Sequence, residues 1–518
     1  MGRSGGAVTN VVGPVQVTVL EREDHEVEAP TRVPDRRPST ADRMQVAALV
    51  LLCAAAAFVG FFRLGTPSWH GDEIAYRKAG LAYVEGDFRL GREHPPLVKY
   101  ILGAVGEAFG TSAGVVRLPA VLASLAIGAV LFAFGRRIGG RWCGGVAFAL
   151  WALLPHALRG ADGEVLWLRI DRMALLEPFL ALFVMLALYL GWRWAESGSW
   201  SWAAAAGAAL GCAVATKSTG ILALPALGIA GLVLGARSRR WGRAVAQGVV
   251  VVGVAALTVA LAYLPFGTTA PAAVRFMFEF QGEHARQGHV VLIRDTIYGH
   301  SPWWAHVWWD ALAFGLLPFV ALGLAAGSAI LAHRRSEVVM LAAAGAVPAL
   351  ILAFAFGFGL PHYHYIWDAP LTLLAAVGIV TLARRRQATA TALLVVIGAP
   401  LLVAGAWTVW RTAHTRPAGY SVATADLRGS FGEHPRILLR GDPVVVHAYL
   451  PGADVSTAST DVAAAELDAV ILDDGFTRRF PDPAVDAILA AGPFMPHDEG
   501  AGITLYVREP PPGSLPGP

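Results

Sequence analysis

Residues His70–Lys99 read HGDEIAYRKAGLAYVEGDFRLGREHPPLVK, and shortly before them lies Val46–Phe62, a run without a single charge. A run that apolar is long enough to cross a bilayer. The acids, bases and prolines that follow it therefore sit at a membrane surface, where a charge is retained only with a partner or a task.

Working outward, the 518 residues are 55% hydrophobic and only 15% charged, far from the composition of a soluble domain. Further apolar runs lie at 115–135, 142–158, 173–192, 202–216, 219–235, 245–266, 307–332, 338–360, 366–383 and 389–410. With the first, they predict a polytopic α-helical membrane protein of about eleven transmembrane helices. The net charge of +3 is too small and too dispersed for nucleic acid. Cys53, Cys143 and Cys212 fall inside apolar runs, with neither metal spacing nor a disulfide pattern. Residues 1–43 are polar and aperiodic, which predicts a disordered cytoplasmic tail, and with no signal pattern at Met1 the first run is a retained span. Residues 44–410 form the transmembrane domain. From 411 to 518, β-branched runs alternate with helix-like stretches opened by Asp or Pro, the pattern of a small α/β domain, ending in a disordered PPPGSLPGP tail.

Parity gives the topology. The short connections after even-numbered spans carry Arg136/Arg137/Arg141, Arg193, Arg237/Arg239/Arg240/Arg243, Arg334/Arg335 and Arg384/Arg385/Arg386, so they and the N-terminus are expected in the cytoplasm. The connections on the opposite side (63–114, 159–172, around Lys217, 267–306 and 361–365) hold Asp72, Glu73, His94, Arg172, Lys217, His300 and His362/His364. One extracytoplasmic polar centre follows, at a plasma or inner membrane, with the α/β domain on the same side.

Asp72 opens a helix predicted over 73–85, as an N-cap with Glu73 paired to Arg77, or as a carboxylate basic enough to take a proton from a hydroxyl. Glu93-His94-Pro95-Pro96 sets a rigid turn before a second helix. Glu177 falls more than one turn inside the fourth span, where an acid needs a cationic partner. Lys217 lies in GCAVATKSTG, close to a phosphate-binding loop but with Thr216 for the second glycine and a membrane helix where a strand belongs, so that assignment fails. It either snorkels or meets a phosphate between two helix ends. His300, Trp303 and Trp304, and Tyr363 and His364 in PHYHYIWDAP, belong to an aromatic belt or to a sugar-binding wall; Trp308 and Trp309 read as interfacial anchors.

Asp72-Glu73, His94-Pro95-Pro96-Leu97, the Arg172–Phe183 segment, Thr216-Lys217-Ser218-Thr219-Gly220 and His300-Ser301-Pro302-Trp303-Trp304 occur in the order seen in GT-C glycosyltransferases. Over residues 44–383 the chain resembles the protein O-mannosyltransferase and aminoarabinose-transferase superfamily, which uses polyprenyl-phosphate sugars. The resemblance implies Asp72 as general base, Glu73 and Arg172 as catalytic residues shaping the site and contacting donor or acceptor, and Lys217 facing the donor phosphate, with Glu93, His94, Glu177, His300, Trp303, Trp304, Tyr363 and His364 as substrate-binding candidates. The sequence departs from relatives at Glu177, where Asp is common, and at Val98-Lys99, where Gly-Lys is common. Some relatives bind a divalent metal near this loop; no ligand set is evident here, and no cofactor is assigned. The implied reaction moves a mannose-like or other hexose or pentose from a polyprenyl-phosphate carrier to a hydroxyl of a protein, lipid or cell-envelope glycan, with inversion. A transporter or flippase, for which an inverted repeat is expected but not evident, and a non-catalytic lipid-linked-glycan binding protein are the alternatives.

Overall fold

The structure, a computed structural model, describes residues 40–158, 168–294, 296–356, 359–385 and 387–508. Most of the expected N-terminal tail, the loop 159–167 and the proline-rich end lie outside these.

Each of the eleven apolar runs contains helix among its described residues. Helix α1 is Thr40–Phe61, and the charged stretch supplies α2 (Gly71–Val84) and α3 (Leu97–Phe109). There follow α4 (Ala113–Gly139), α5 (Arg141–Leu153), α6 (Glu177–Ser197), α7 (Trp200–Thr216), α8 (Leu224–Ser238), α9 (Trp241–Tyr263) and α10 (Ala270–Gln287). The rest are α11 (Ala305–Phe314), α12 (Leu316–Ala332), α13 (Ser336–Ala355), α14 (Tyr365–Arg384) and α15 (Ala388–Ala413). Among the described residues, eight segments are long and apolar enough to cross a membrane, or nine if the bent pair α11–α12 is one span. The other two apolar helices, α5 and α7, have 13 and 17 residues. The pair α11–α12 bends by 107° at Gly315, whose φ of 85° a residue with a Cβ rarely adopts.

The most enclosed helix is α14, packed against α5, α6, α12 and α13. Helices α2 and α3 cross at Gly80 and Gly103, each glycine meeting the other's backbone where a Cβ would otherwise stand. One boundary departs from expectation. The fourth span begins at Glu177, with Pro178 in its first turn, and Ile170–Arg172 ahead of it is a short 3₁₀ turn. Glu177 is thus at the mouth of the helix, not a turn inside, because proline is best accommodated where its missing N–H has no helical partner.

Two short hairpins, β1 (Ala157–Leu158) with β2 (Leu168–Arg169) and β3 (Val291–Ile293) with β4 (Thr296–Tyr298), sit among the connections. Beyond α15, the C-terminal part is an α/β domain as expected. It has α16 (Tyr420–Phe431) and a five-stranded sheet of β5 (Arg436–Arg440), β6 (Asp454–Ser456), β7 (Ala469–Asp473), β8 (Phe494–Asp498) and β9 (Ile503–Arg508), in the order β6-β5-β7-β9-β8. Strand β5 runs parallel to β6 and β7, and β9 is antiparallel to β7 and β8. Three helices after α16 start where the sequence placed aspartates: Asp442, Asp473 and Asp482 each accept a backbone N–H of the following turn. The domain docks on the segment between α1 and α2. Arg63 donates to the Thr415 carbonyl at 2.7 Å, Ser68 Oγ to that of Ala418 at 2.6 Å, and Trp69 N–H to Tyr449 Oη at 2.9 Å.

Candidate active site

The site is built on the first turn of α2. His70 is its N-cap, accepting the Asp72 N–H on Nδ1, while Glu73 accepts the His70 N–H at 3.0 Å to close a capping box. Glu73 also receives two hydrogen bonds of 2.8 Å from Arg117 on α4 and one of 2.8 Å from the Ala174 N–H. Four donors match the lone pairs a carboxylate offers. Arg117 spends its remaining N–H groups on the carbonyls of Leu64, Pro67 and Ser68. Burial alone pushes the Glu73 carboxyl up, but the Arg117 charge and the hydrogen bonds outweigh it and hold the group below the usual carboxylate range. Neither side chain is exposed. Glu73 therefore pairs with Arg117 and not with Arg77, and it ties α2, α4, the α1–α2 segment and the 3₁₀ turn into one knot.

Asp72, one residue earlier, points elsewhere. Its side chain is 42% exposed and lines a cavity of about 630 Å³ between the membrane domain and the α/β domain. His70, His362 and Trp309 are on the membrane-domain side; Tyr420, Asp442, Asp473 and Arg479 are on the other. Trp309, expected as an interfacial anchor, is instead a buried cavity wall, its indole N–H fixed on the Gly359 carbonyl at 3.0 Å. Tyr420 Oη donates to Asp473 at 3.0 Å and accepts the Asp442 N–H at 3.2 Å, holding the two aspartates on one lip. Burial pushes the Asp473 carboxyl up.

Behind His362 lies a buried cationic centre. Lys217 Nζ is 2.6 Å from Glu177 Oε1 and 3.8 Å from the Tyr363 ring centre, and His362 Nε2 is 3.7 Å from the same Glu177 oxygen. This is the cationic partner that Glu177 requires. His94 packs edge-on against Tyr76. Burial first, then the Lys217 and Lys99 charges, push the His94 imidazole well below its ordinary value. Burial likewise takes His362 down to about 4, against the pull of Glu177 and with the push of Lys217. Both rings are neutral at physiological pH. Lys99 Nζ donates to the carbonyls of Gly91 and His94 and stands 4.0 Å from Glu93, fixing the proline turn, and Gln281 on α10 donates to the Glu93 carbonyl at 2.8 Å.

Arg172 is buried in the 3₁₀ turn, donating to the Phe62 carbonyl; burial and neighbouring Arg169 bring its guanidinium down to about 10. Arg169 and Asp171 form a separate bidentate pair of 2.8 and 2.7 Å, closed by the Ser124 hydroxyl at 2.9 Å. Of the catalytic and substrate-binding candidates named from the sequence, Asp72 lines the cavity and the others do not. His300 is exposed, 3.1 Å from the Arg286 carbonyl; Trp303 is 59% exposed and stacks on Phe354; Trp304 packs on Tyr298. His364 is fully buried on α14's N-terminal side with Asp310 and Asp368, among the described residues a trio of ligating side chains whose donor atoms converge. Sequence reasoning missed Arg117, though an arginine inside an apolar run is its own signal. It also missed the cavity role of Asp442 and Asp473, which are marked only as helix openers, and of Arg479, which carries no local mark.

Residues 93–264 match a family model described as dolichyl-phosphate-mannose-protein mannosyltransferase. No curated protein sequence matches the chain. Among solved structures it is similar to ArnT from Cupriavidus metallidurans in the apo state, with a TM-score of 0.60 and 17% identity over 92% of this chain and 100% of that one. ArnT bound to undecaprenyl phosphate gives 0.58 and 18%, over 91% and 99%. An oligosaccharyltransferase from Archaeoglobus fulgidus, tethered to an acceptor peptide, gives 0.50 and 11%, over 90% of this chain and 74% of that one. The helices and the C-terminal domain together thus have the fold of the GT-C glycosyltransferases.

Proposed function

We propose that this chain is a membrane glycosyltransferase that moves a sugar from a polyprenyl-phosphate carrier to an acceptor hydroxyl, on the extracytoplasmic face, with Asp72 as general base. The observation that carries this is the placement of Asp72: a half-exposed carboxylate on the wall of a cavity of about 630 Å³, with a buried lysine behind the same wall. The match of residues 93–264 to a mannosyltransferase model and the fold shared with an ArnT bound to undecaprenyl phosphate support the donor class.

In the proposed step Asp72 takes the proton of the acceptor hydroxyl, whose oxygen attacks the anomeric carbon. The bond from that carbon to the phosphate oxygen breaks, and polyprenyl phosphate leaves with the electron pair, inverting the centre. Lys217, aimed by Glu177 and Tyr363, and Arg172 supply cationic character for the leaving phosphate. Glu73 acts through Arg117 by positioning Asp72. Neutral His94 and His362 donate or accept without adding charge. The acceptor approaches along the lip of Asp442, Asp473 and Arg479, which suits a hydroxyl-rich glycan or a polar peptide. The arginine-rich even connections support a cytoplasmic N-terminus.

The test is transfer of label from polyprenyl-phosphate mannose and related lipid-linked sugars to an envelope extract, with wild type and Asp72→Asn side by side. A variant slower by about 10²- to 10⁴-fold is the expected result for a lost general base. Equal transfer by both removes Asp72 from the reaction, and no transfer from any such donor by folded protein turns the assignment to a carrier-binding or transport protein.

A further inference from the structure

We infer that Asp310, His364 and Asp368 form a three-ligand site for a divalent metal of the zinc class, buried behind the cavity wall with His156 at its edge. These four residues come from three places: the turn after α5, the middle of α11, and the start of α14. His156, His364 and Asp368 have no exposure and Asp310 has 4%.

One donor atom each of Asp310, His364 and Asp368 lies within 4.8 Å of the other two, the convergence that a coordination shell needs. Asp310 Oδ1 is 3.1 Å from His364 Nδ1, which is 2.9 Å from Asp368 Oδ2, which is 3.6 Å from His156 Nδ1. A tetrahedral zinc ion with ligands about 2.0–2.1 Å away requires ligand separations of about 3.3–3.4 Å. The 3.1 and 2.9 Å separations lie just under that figure, so a small expansion around an ion seats Asp310, His364 and Asp368, and the fourth position is left to water.

Hydrogen bonding alone leaves the cluster incomplete. Among the described residues, His156 Nδ1, Asp310 Oδ1 and Asp368 Oδ1 are buried without a hydrogen-bond partner, a condition that calls for an explanation such as a bound ion. The outer contacts are those of groups already aimed. His156 Nε2 stands 3.1 Å from the Trp151 carbonyl, which can only accept. Nε2 therefore carries a proton, and Nδ1 stands 3.6 Å from the Asp368 carboxylate, a contact that needs either a second ring proton or a nearby cation. Trp367 Nε1–H donates to Asp310 Oδ2 at 2.9 Å, leaving Oδ1 for the centre. His156 also keeps a φ of 43°, a conformation uncommon for any residue with a side chain, and it directs the ring inward.

Charge points the same way. Among the described residues the ion pairs of Asp310 and Asp368 are with histidines alone, with no lysine or arginine. Two carboxylates, two neutral imidazoles and one divalent ion sum to zero, which suits the interior of a membrane domain. One nitrogen and two oxygen donors with an open position favour zinc over magnesium or calcium, which take more oxygens. Leu158, Trp309 and His362, each one or two residues from one of the four side chains, line the cavity. A metal here pins the wall against which substrate rests without touching it, and the site stands whether or not the chain transfers sugar.

The test is metal content of the full-length purified protein after a chelator wash and reloading with zinc. One zinc per chain is expected in wild type, with at least a fivefold loss in His364→Gln and in the Asp310→Asn/Asp368→Asn double variant. Because those variants can fail to fold, wild type reloaded with cobalt is read in parallel: the absorption of a four-coordinate centre and a scattering shell of nitrogen and oxygen at about 2.0–2.1 Å are expected. Wild type that takes up no zinc, a six-coordinate cobalt spectrum, or full metal content in His364→Gln each overturns the assignment, the first in favour of a cluster neutralised by protons and the last in favour of a site elsewhere.

Discussion

Replacing Glu73 by glutamine removes a charge and almost no volume, and it separates a positioning role from a role in chemistry. In the native chain the Glu73 carboxylate is fully buried and bound by four donors, two of them from Arg117, itself buried with its other N–H groups on three carbonyls. The substitution leaves the guanidinium uncompensated, and such a loss costs about 3–5 kcal/mol. Burial raises the carboxyl and Arg117 lowers it further, so the folded value lies below the unfolded one, about 4.3. The stabilisation is then present above pH 4.3 and is lost as pH falls through the folded value, and Glu73→Gln should lack that acid-side dependence. The assay is detergent-titration unfolding followed by circular dichroism, between pH 3 and 7, for wild type, Glu73→Gln, Arg117→Met and the double variant. The double variant should be more stable than Glu73→Gln alone, since it leaves no orphaned charge. A Glu73→Gln protein within about 1 kcal/mol of wild type, where an exposed pair would place it, refutes the knot. So does a double variant that merely adds the two single losses.

Gly103→Ala sets a Cβ against the backbone of Gly80, so α2 and α3 must part; a loss of about 1–3 kcal/mol is expected in the same unfolding assay, while Gly145→Ala, which meets nothing within 4 Å, should be neutral or gain up to about 1 kcal/mol. His362 is held neutral down to about pH 4 against an ordinary value of 6.5. The unfolded chain therefore binds the proton first, and stability should fall by about 1.4 kcal/mol per pH unit from 6.5 towards 4, a slope that His362→Gln should flatten in a pH series of thermal midpoints. Lys217→Met leaves Glu177 buried without its ammonium partner, 2.6 Å away in the native chain, and should cost about 3–5 kcal/mol, largely recovered in Lys217→Met/Glu177→Leu.

The spans were legible because a long uncharged run has few alternatives to a membrane helix, and the α/β domain because Asp and Pro open its helices where caps belong. The breaks were less so. Gly315 ends α11 in a run that reads as continuous, and Pro178 moves the start of α6 by four residues from where hydropathy alone puts it. The site was half visible. Asp72, His94, Glu177 and Lys217 announce themselves as polar groups beside apolar runs, yet nothing in their spacing says that Lys217 answers Glu177 across 40 residues, or Arg117 answers Glu73 across 44. Aromatic clusters were the weakest guide. Trp303 and Trp309 each belong to a Trp-Trp pair, but one, ahead of α11, stacks on Phe354 at the surface and the other, within α11, walls the cavity.

The adjacency of Asp72 and Glu73 has a geometric reason. Successive residues on a helix are turned by about 100°, so in a first turn lying on a packed surface one carboxylate faces the protein and the next faces away. Glu73 takes the inward position and is saturated; Asp72 takes the outward one, with its N–H held by His70 and its carboxylate half exposed. Gly71 completes the arrangement from the other side. A Cβ there would collide with Asp442 Oδ2, and Asp442 in turn caps the helix at Val444. The α/β domain thus touches the residue next to the proposed base, and Asp473 is joined to Asp442 through the Tyr420 hydroxyl. On the function proposed above, any acceptor that reaches Asp72 passes this lip first, so acceptor choice belongs to Asp442, Asp473 and Arg479, and substitutions there should redirect transfer among acceptors while leaving donor binding at Lys217 intact.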